Sequence, residues 1–299
     1  MPVNPPFNAA SLPDHRERMI DFLDSTFFTR YGPNPSLPTP SEVRALSDPR
    51  QQTQPPPIRF EHLGLLVKFG PHVTTNEAQC LWLIKKELGD DVPVPEVYGW
   101  RIDGEEVFIY MELIRGDTLK SRWDWMSKTE RKTVCEDLSK IVTSLRAMDQ
   151  SPGAYFVGSL DVHHLTDYVL ESFPPGGPFP DTKQFNDWFA SLAWSNFPKP
   201  ESILDPWRAS LPDTASIKLT HGDLHRSNIM ISSTSPPRVL AIVDWAHGGW
   251  YPDWWEYCKA AYTCSYDGEW RNTWIPMFLE PRVEVHGIFA EYIHAMGAV

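Results

Sequence analysis

Only 4 cysteines occur in the 299 residues, and no two of them form a Cys-x-x-Cys pair. Cys80, Cys135 and Cys258 lie far apart and only Cys264 is close to another. The spacing argues against a zinc site and for buried free thiols in a reducing cytosol. Positive charge is also scarce: 27 lysines and arginines against 39 aspartates and glutamates leave a formal net charge of −12. That balance excludes a protein whose main task is to grip a nucleic-acid backbone. No apolar run approaches the roughly 18 residues of a membrane span. The start, Met1-Pro2-Val3-Asn4-Pro5-Pro6, lacks the basic and apolar stretches of a secretory signal. A cytoplasmic protein with neither nucleic-acid nor membrane partners is therefore expected. A glycine-rich phosphate loop is missing too: no G-x-G-x-x-G or G-x-x-x-x-G-K run precedes Lys68.

What remains is globular in character, with 41% hydrophobic residues and 13% aromatics. The length suits one two-lobed domain or two small ones. Met19, Ile20, Leu23 and Phe27 recur at helical spacing and predict a helix over 14–30. The Pro-rich stretch 31–57 reads as an extended loop without regular structure. Ile58 to Phe69 reads as a strand and Asn76 to Leu88 as a helix with Gly89 at its C-cap. Val97–Ile102 and Val107–Leu113 flank Asp103-Gly104, which predicts a hairpin. Ser127 and Glu130 fit a capping box before a long amphipathic helix whose apolar face runs from Val134 to Met148. Another helix is expected around Phe185 to Trp194, short strands at Ile217–Thr220 and Val239–Val243, and mostly helix from about 252.

Between those two short strands lies His221-Gly222-Asp223-Leu224-His225-Arg226-Ser227-Asn228, and the second strand ends in Asp244-Trp245. Asp223 can orient an attacking hydroxyl, and the oxygens of Asn228 and Asp244 suit a hard magnesium ion that bridges phosphates. Any one of these residues alone would be read as a turn or cap; their order is what points to phosphoryl transfer. The run resembles the catalytic loop of the aminoglycoside phosphotransferase and choline kinase-like family, which shares its fold with protein kinases. Within that likeness, which covers roughly 60–260, His225 in place of the lysine of protein kinases and Trp245 in place of their Asp-Phe-Gly phenylalanine lean toward small-molecule kinases.

The resemblance implies an α+β, two-lobed kinase-like fold. It would comprise a helix and Pro-rich extension over 1–57, a small β-rich nucleotide-binding lobe over 58–114 and a larger, mainly helical lobe over 115–299. It implies ATP and Mg2+, a small hydroxylated acceptor, Asp223 as catalytic residue, and Asn228 and Asp244 as metal ligands. Lys68 would steady the phosphates and Glu77 would hold Lys68, while Glu112, Leu113 and Ile114 would form the adenine-binding hinge through main-chain atoms. Two departures stand out, the absent glycine-rich loop and Arg226, where the family usually carries proline. Arg226 can serve a phosphate or pair with an acidic neighbour. The block Trp245, Trp250, Tyr251, Trp254, Trp255 and Tyr257 reads either as core or as a pocket for a cationic substrate. Asp253 and Glu256 read as substrate-amine ligands or helix caps, and no spacing around His163, His164 and His247 supports a metal. The alternative to an enzyme is a catalytically weak or inactive nucleotide-binding scaffold.

Overall fold

The computed structural model describes residues 6–30, 35–48, 50, 55–195 and 204–297. The first part of the chain builds a five-stranded antiparallel sheet from β1 (Met19–Asp21), β2 (Ile58–Phe60), β3 (Leu65–Gly70), β4 (Val97–Asp103) and β5 (Glu106–Glu112). Its spatial order is β1-β4-β5-β3-β2. The β4–β5 hairpin closes where Asp103 pairs with Glu106, with Gly104 at φ 65°, as the Asp-Gly signal predicted. The sheet is buried on both faces. Leu65, Val67, Phe69, Phe108 and Tyr110 point to one side, while Ile109 and Met111 point to the side covered by the core of α3 (Thr75–Leu88).

Two expectations about the N-terminal region are corrected. Residues 14–30 do not form one helix: β1 joins the sheet edge beside β4 and only α1 (Thr26–Arg30) is helical. Met19 and Leu23, two of the four residues at helical spacing, are 63% and 69% exposed. The backbone around 20 instead pairs with the sheet, where Arg101 donates to the Ile20 carbonyl at 2.9 Å and to Asp21 at 2.6 Å. Nor is the Pro-rich stretch without regular structure. It holds α2 (Pro40–Ala45), started by Pro40 and by a Thr39–Glu42 capping box. The sheet face formed by Leu65, Val67, Phe69, Phe108 and Tyr110 needs a cover, and Phe27, Leu37 and Val43 supply it. The expected strand 58–69 is also two strands, folded back at the Glu61–Leu63 turn with Gly64 in the left-handed region.

Beyond the sheet the chain runs through β6 (Asp117–Thr118), α4 (Leu119–Arg122), α5 (Lys128–Arg146), α6 (Thr182–Leu192), β7 (Ile217–Thr220), β8 (Ile229–Ile231), β9 (Val239–Ile242), β10 (Gly249–Pro252), α7 (Trp255–Tyr262) and α8 (Val283–Met296). The fold is mixed α+β. The Ser127–Glu130 capping box is present, and α5 buries Val134, Leu138, Ile141, Val142 and Leu145 on one stripe. Rings from α6, α7 and α8 form an aromatic core in which Phe189 meets Trp255, Phe289 and Tyr292 with centroids 5.3 to 5.8 Å apart. Among the described residues, no helix is long and apolar enough to cross a membrane.

Candidate active site

The predicted motif sits on the loop between β7 and β8, and Asp244 follows β9. Because β8 and β9 are paired, with Ile229 opposite Ile242 and the Val243 N–H donating to the Asn228 carbonyl at 2.9 Å, Asn228 is held next to the start of the Asp244 segment. The Asn228 amide nitrogen donates to the Asp223 carboxylate and to its main-chain carbonyl, both at 2.8 Å. This fixes which end of the amide is nitrogen and leaves Oδ1 as the oxygen for a cation.

Lys68 on β3 reaches across the sheet edge. Its ammonium is 2.7 and 3.0 Å from the two oxygens of Glu77 and 2.6 Å from Asp244 Oδ1. Burial would depress the Lys68 pKa, but the two carboxylates outweigh it and hold it above the ordinary lysine value. Glu77 is completely enclosed, and burial pushes its carboxyl up despite Lys68. Asp244 is more open; burial opposes ionisation there, yet Lys68 holds its pKa below the usual carboxylate range. Asp244 has φ 66°, a left-handed conformation that a non-glycine residue adopts at a cost of about 1 kcal/mol or more. That twist, right after β9, accompanies the turn of its carboxylate toward Lys68. The donor set, one amide oxygen and carboxylates, has the hard chemistry that magnesium prefers.

The loop itself is held from below. The N–H groups of His221 and Gly222 donate to the buried carboxylate of Glu256 at 2.6 and 3.2 Å. His221 accepts the Asp223 N–H at Nδ1, so Nε2 carries the proton and donates to the Val243 carbonyl at 3.0 Å. Gly222 needs its missing side chain: at φ 79° an added Cβ would lie 2.9 Å from that of His247. His225 stands 3.4 Å from the Asp223 carboxylate and is bonded through Nε2 to the Thr263 hydroxyl; burial keeps its pKa below the ordinary histidine value. Lys259 of α7 and Asp167 form an ion pair closed to solvent.

Several sequence alternatives are resolved. Trp245, Trp250, Tyr251, Trp254 and Trp255 are at most 1% exposed and Tyr257 is 8%, so the aromatic block is core. Glu256 neither caps a helix nor faces a substrate amine; its work is to bind the loop backbone. Asp253 pairs with Arg282. Arg226 makes no ion pair among the described residues: it lies over the rings of Trp123 and Trp270, 5.5 and 5.4 Å from their centroids. His163 meets His15 and Asp161, a grouping no spacing could show, while His164 and His247 stay outside it. At the expected hinge, the Glu112 and Leu113 N–H groups are already bonded to the Glu96 and Gly64 carbonyls at 2.8 and 2.9 Å. Those two donors are engaged by the protein, and Ile114 follows them. All 4 cysteines are free thiols, three of them buried, and burial pushes Cys135 up to about 12. No sequence signal marks Glu256 or Thr263 as a support of the loop, since their partners in it lie more than 30 residues away.

A family model described as the phosphotransferase enzyme family matches residues 65–283, from β3 to the first residue of α8. No curated protein matches the chain. Among solved structures, the apo form of a thermostable mutant of aminoglycoside phosphotransferase APH(4)-Ia aligns with TM-score 0.51 and 13% identity over 78% of this chain and 77% of that one. APH(4)-Ia itself aligns with TM-score 0.50 and 15% identity over 78% and 76%. A thermostable mutant in ternary complex with AMP-PNP and hygromycin B gives TM-score 0.50 and 14% identity over the same shares. At such identities the likeness is one of fold. The matched segment of the family model spans most of the chain and contains Lys68, Glu77, Asp223, Asn228 and Asp244, so the chain belongs to the phosphotransferase enzyme family.

Proposed function

We propose that the protein transfers the γ-phosphoryl group of ATP to a hydroxyl of a small molecule, using magnesium. The carrying observation is convergence: Lys68 joins Glu77 to Asp244, and β8–β9 pairing sets the bonded Asp223–Asn228 pair beside the Asp244 segment, so four separate segments contribute. The neighbour that binds AMP-PNP supports ATP as donor. The sheet with α3, over 58–114, acts as the nucleotide-binding lobe and 115–299 as the catalytic one, with 1–57 as an extension that also completes the sheet.

Asp223 accepts a hydrogen bond from the acceptor hydroxyl and takes its proton as the new O–P bond forms and the bond to the departing ADP breaks. The Asn228 amide keeps the Asp223 carboxylate in one orientation. Lys68, prepositioned by Glu77, moves part of its charge from Asp244 to the phosphates. Asn228 and Asp244 would hold magnesium, which would supply charge neutralisation at the phosphates. Glu256 and His221 keep the loop rigid.

Replacing Asp223 by alanine is expected to lower transfer by about 10²- to 10⁴-fold with nucleotide binding kept. Asp244→Ala is expected to weaken nucleotide binding only when magnesium is present. Product mass spectrometry and calorimetry with and without metal read both. Wild-type turnover in the Asp223 variant would refute its assignment.

A further inference from the structure

We propose that the acceptor at this site is an anionic hydroxyl compound, bearing a carboxylate or phosphate, and not a polycationic amino sugar. The inference rests on the phosphotransferase reading for the hydroxyl, but the anion-binding part stands on its own observations.

A cavity of about 490 Å³ opens against the catalytic loop, with His225, Arg226 and Ser227 in its wall. Its size falls in the range of small-ligand sites, ~300–1,000 Å³. His225, which lines it, is the residue 3.4 Å from the Asp223 carboxylate, so a ligand here would have one end near the proposed base. The far wall comes from α4 and the segment after α7, including Trp270 in a π-helical turn, Trp270–Trp274. Such turns occur often at functional sites.

The charges of the wall decide the class of ligand. Arg226 is half-buried between Trp123 and Trp270 and has no carboxylate or hydrogen-bond partner among the described residues. Contacts with ring faces steady the guanidinium charge but use none of its five N–H donors, so the fork remains for a ligand. Lys120, on the exposed side of α4, likewise has no ion-pair partner among the described residues. The wall carries two carboxylates. Glu269 is held by Arg131 at 3.1 Å, and Asp124 is exposed to solvent. In a chain of net charge −12, this cavity therefore presents two unpaired cations, Arg226 on the catalytic loop and Lys120 on the far wall, against one unpaired carboxylate, Asp124, among the described residues. A polycation entering would meet Arg226 and Lys120 as like charges with no buried acid to receive it. A carboxylate or phosphate would complete the fork of Arg226 with charge-assisted hydrogen bonds. Arg226 stands where the resembling loops carry proline, which cannot offer such donors.

Calorimetric titration of the full chain, with and without AMP-PNP and magnesium, tests the idea with four probes: D-gluconate, D-glucose 6-phosphate, D-glucose and kanamycin A. At least one of the two anions is expected to bind more tightly than glucose and kanamycin, and the one preferred tells carboxylate from phosphate. Arg226→Gln is expected to weaken that binding at least tenfold, and Arg226→Lys less. Circular dichroism verifies that Arg226→Gln folds; if it does not, Lys120→Gln, a surface change, carries the comparison and is expected to weaken anion binding severalfold. Binding of kanamycin or glucose above both anions, no anion binding at all, or anion affinity untouched by these substitutions would overturn the proposal. Mass analysis of the same mixtures with ATP separates the two claims. Anion binding without transfer to any probe counts against the phosphotransferase reading and leaves the anion site standing; transfer to kanamycin alone does the reverse.

Discussion

Lys68 sits between a carboxylate that is enclosed and one that is half open, and the asymmetry suits a residue that must let go of one partner. Glu77 has nowhere to turn for solvation, so it keeps the ammonium in place; Asp244 is the more open carboxylate and can exchange the ammonium for another cation. Removing the lysine should therefore be costly. Lys68→Met leaves Glu77 buried and uncompensated, and we expect a loss of about 3 kcal/mol in urea denaturation at pH 7. The sign with pH follows from the raised Glu77 pKa. A carboxyl whose folded-state pKa is above its unfolded value costs stability as pH rises past the ordinary glutamate range, so the deficit of the variant should shrink in acid. A variant as stable as wild type at pH 7 would mean that Glu77 does not depend on Lys68. Glu256 shows the same logic on the backbone side, since its buried carboxylate is paired by two N–H donors of the loop it supports.

At the scale of elements, α2 is the informative case. Six residues in a proline-rich stretch are too few to form a stable helix by propensity alone, and the helix exists because the sheet needs its cover. Val43 is fully buried against that face. Val43→Ala should cost about 2 kcal/mol by chemical denaturation, as expected for two buried methyl groups. A change below about 0.5 kcal/mol would mean that the sheet face is covered by something else. The elements that were legible, such as α5 and the β4–β5 hairpin, carry their signals within a few residues: Ser127 with Glu130, Asp103 with Gly104. β1 was not legible because it owes its form to a distant partner, Ile20 lying opposite Trp100, whereas α2 does carry a local signal, Pro40 and the Thr39–Glu42 box, inside a stretch whose prolines read as a loop.

For the molecule as a whole, the dense aromatic core has a consequence for acid stability. His286 on α8 is 8% exposed, its Nε2 lacks a hydrogen-bond partner among the described residues, and burial with Arg271 nearby pushes its pKa down to about 4. The unfolded chain takes up that proton near pH 6.5, whereas the folded one resists it. The stability this group contributes is thus complete above about 6.5 and is lost as pH falls toward 4, about 3 kcal/mol in all. His286→Phe should remove that part of the dependence. Unfolding free energies at pH 7 and 4.5 should differ by roughly 2 kcal/mol less in the variant than in wild type. Equal slopes would show that His286 protonates freely in the folded state.

The chain alone carries the order of loop residues that points to phosphoryl transfer. The chain orders Asp223, Asn228 and Asp244 along one short stretch, and the pairing of β8 with β9 sets Asn228 beside the Asp244 segment. It also determined α5, the hairpin and the helix after Lys68, because caps, turns and apolar stripes act over a turn or two of chain. Only the tertiary structure decided that Lys68 would touch Asp244, 176 residues away, and that Glu256 would hold the loop from below. The same packing sets Trp123 and Trp270 on either side of Arg226, which makes no ion pair among the described residues. Long-range contacts of this kind depend on which surfaces the whole chain must bury, and no local pattern records that.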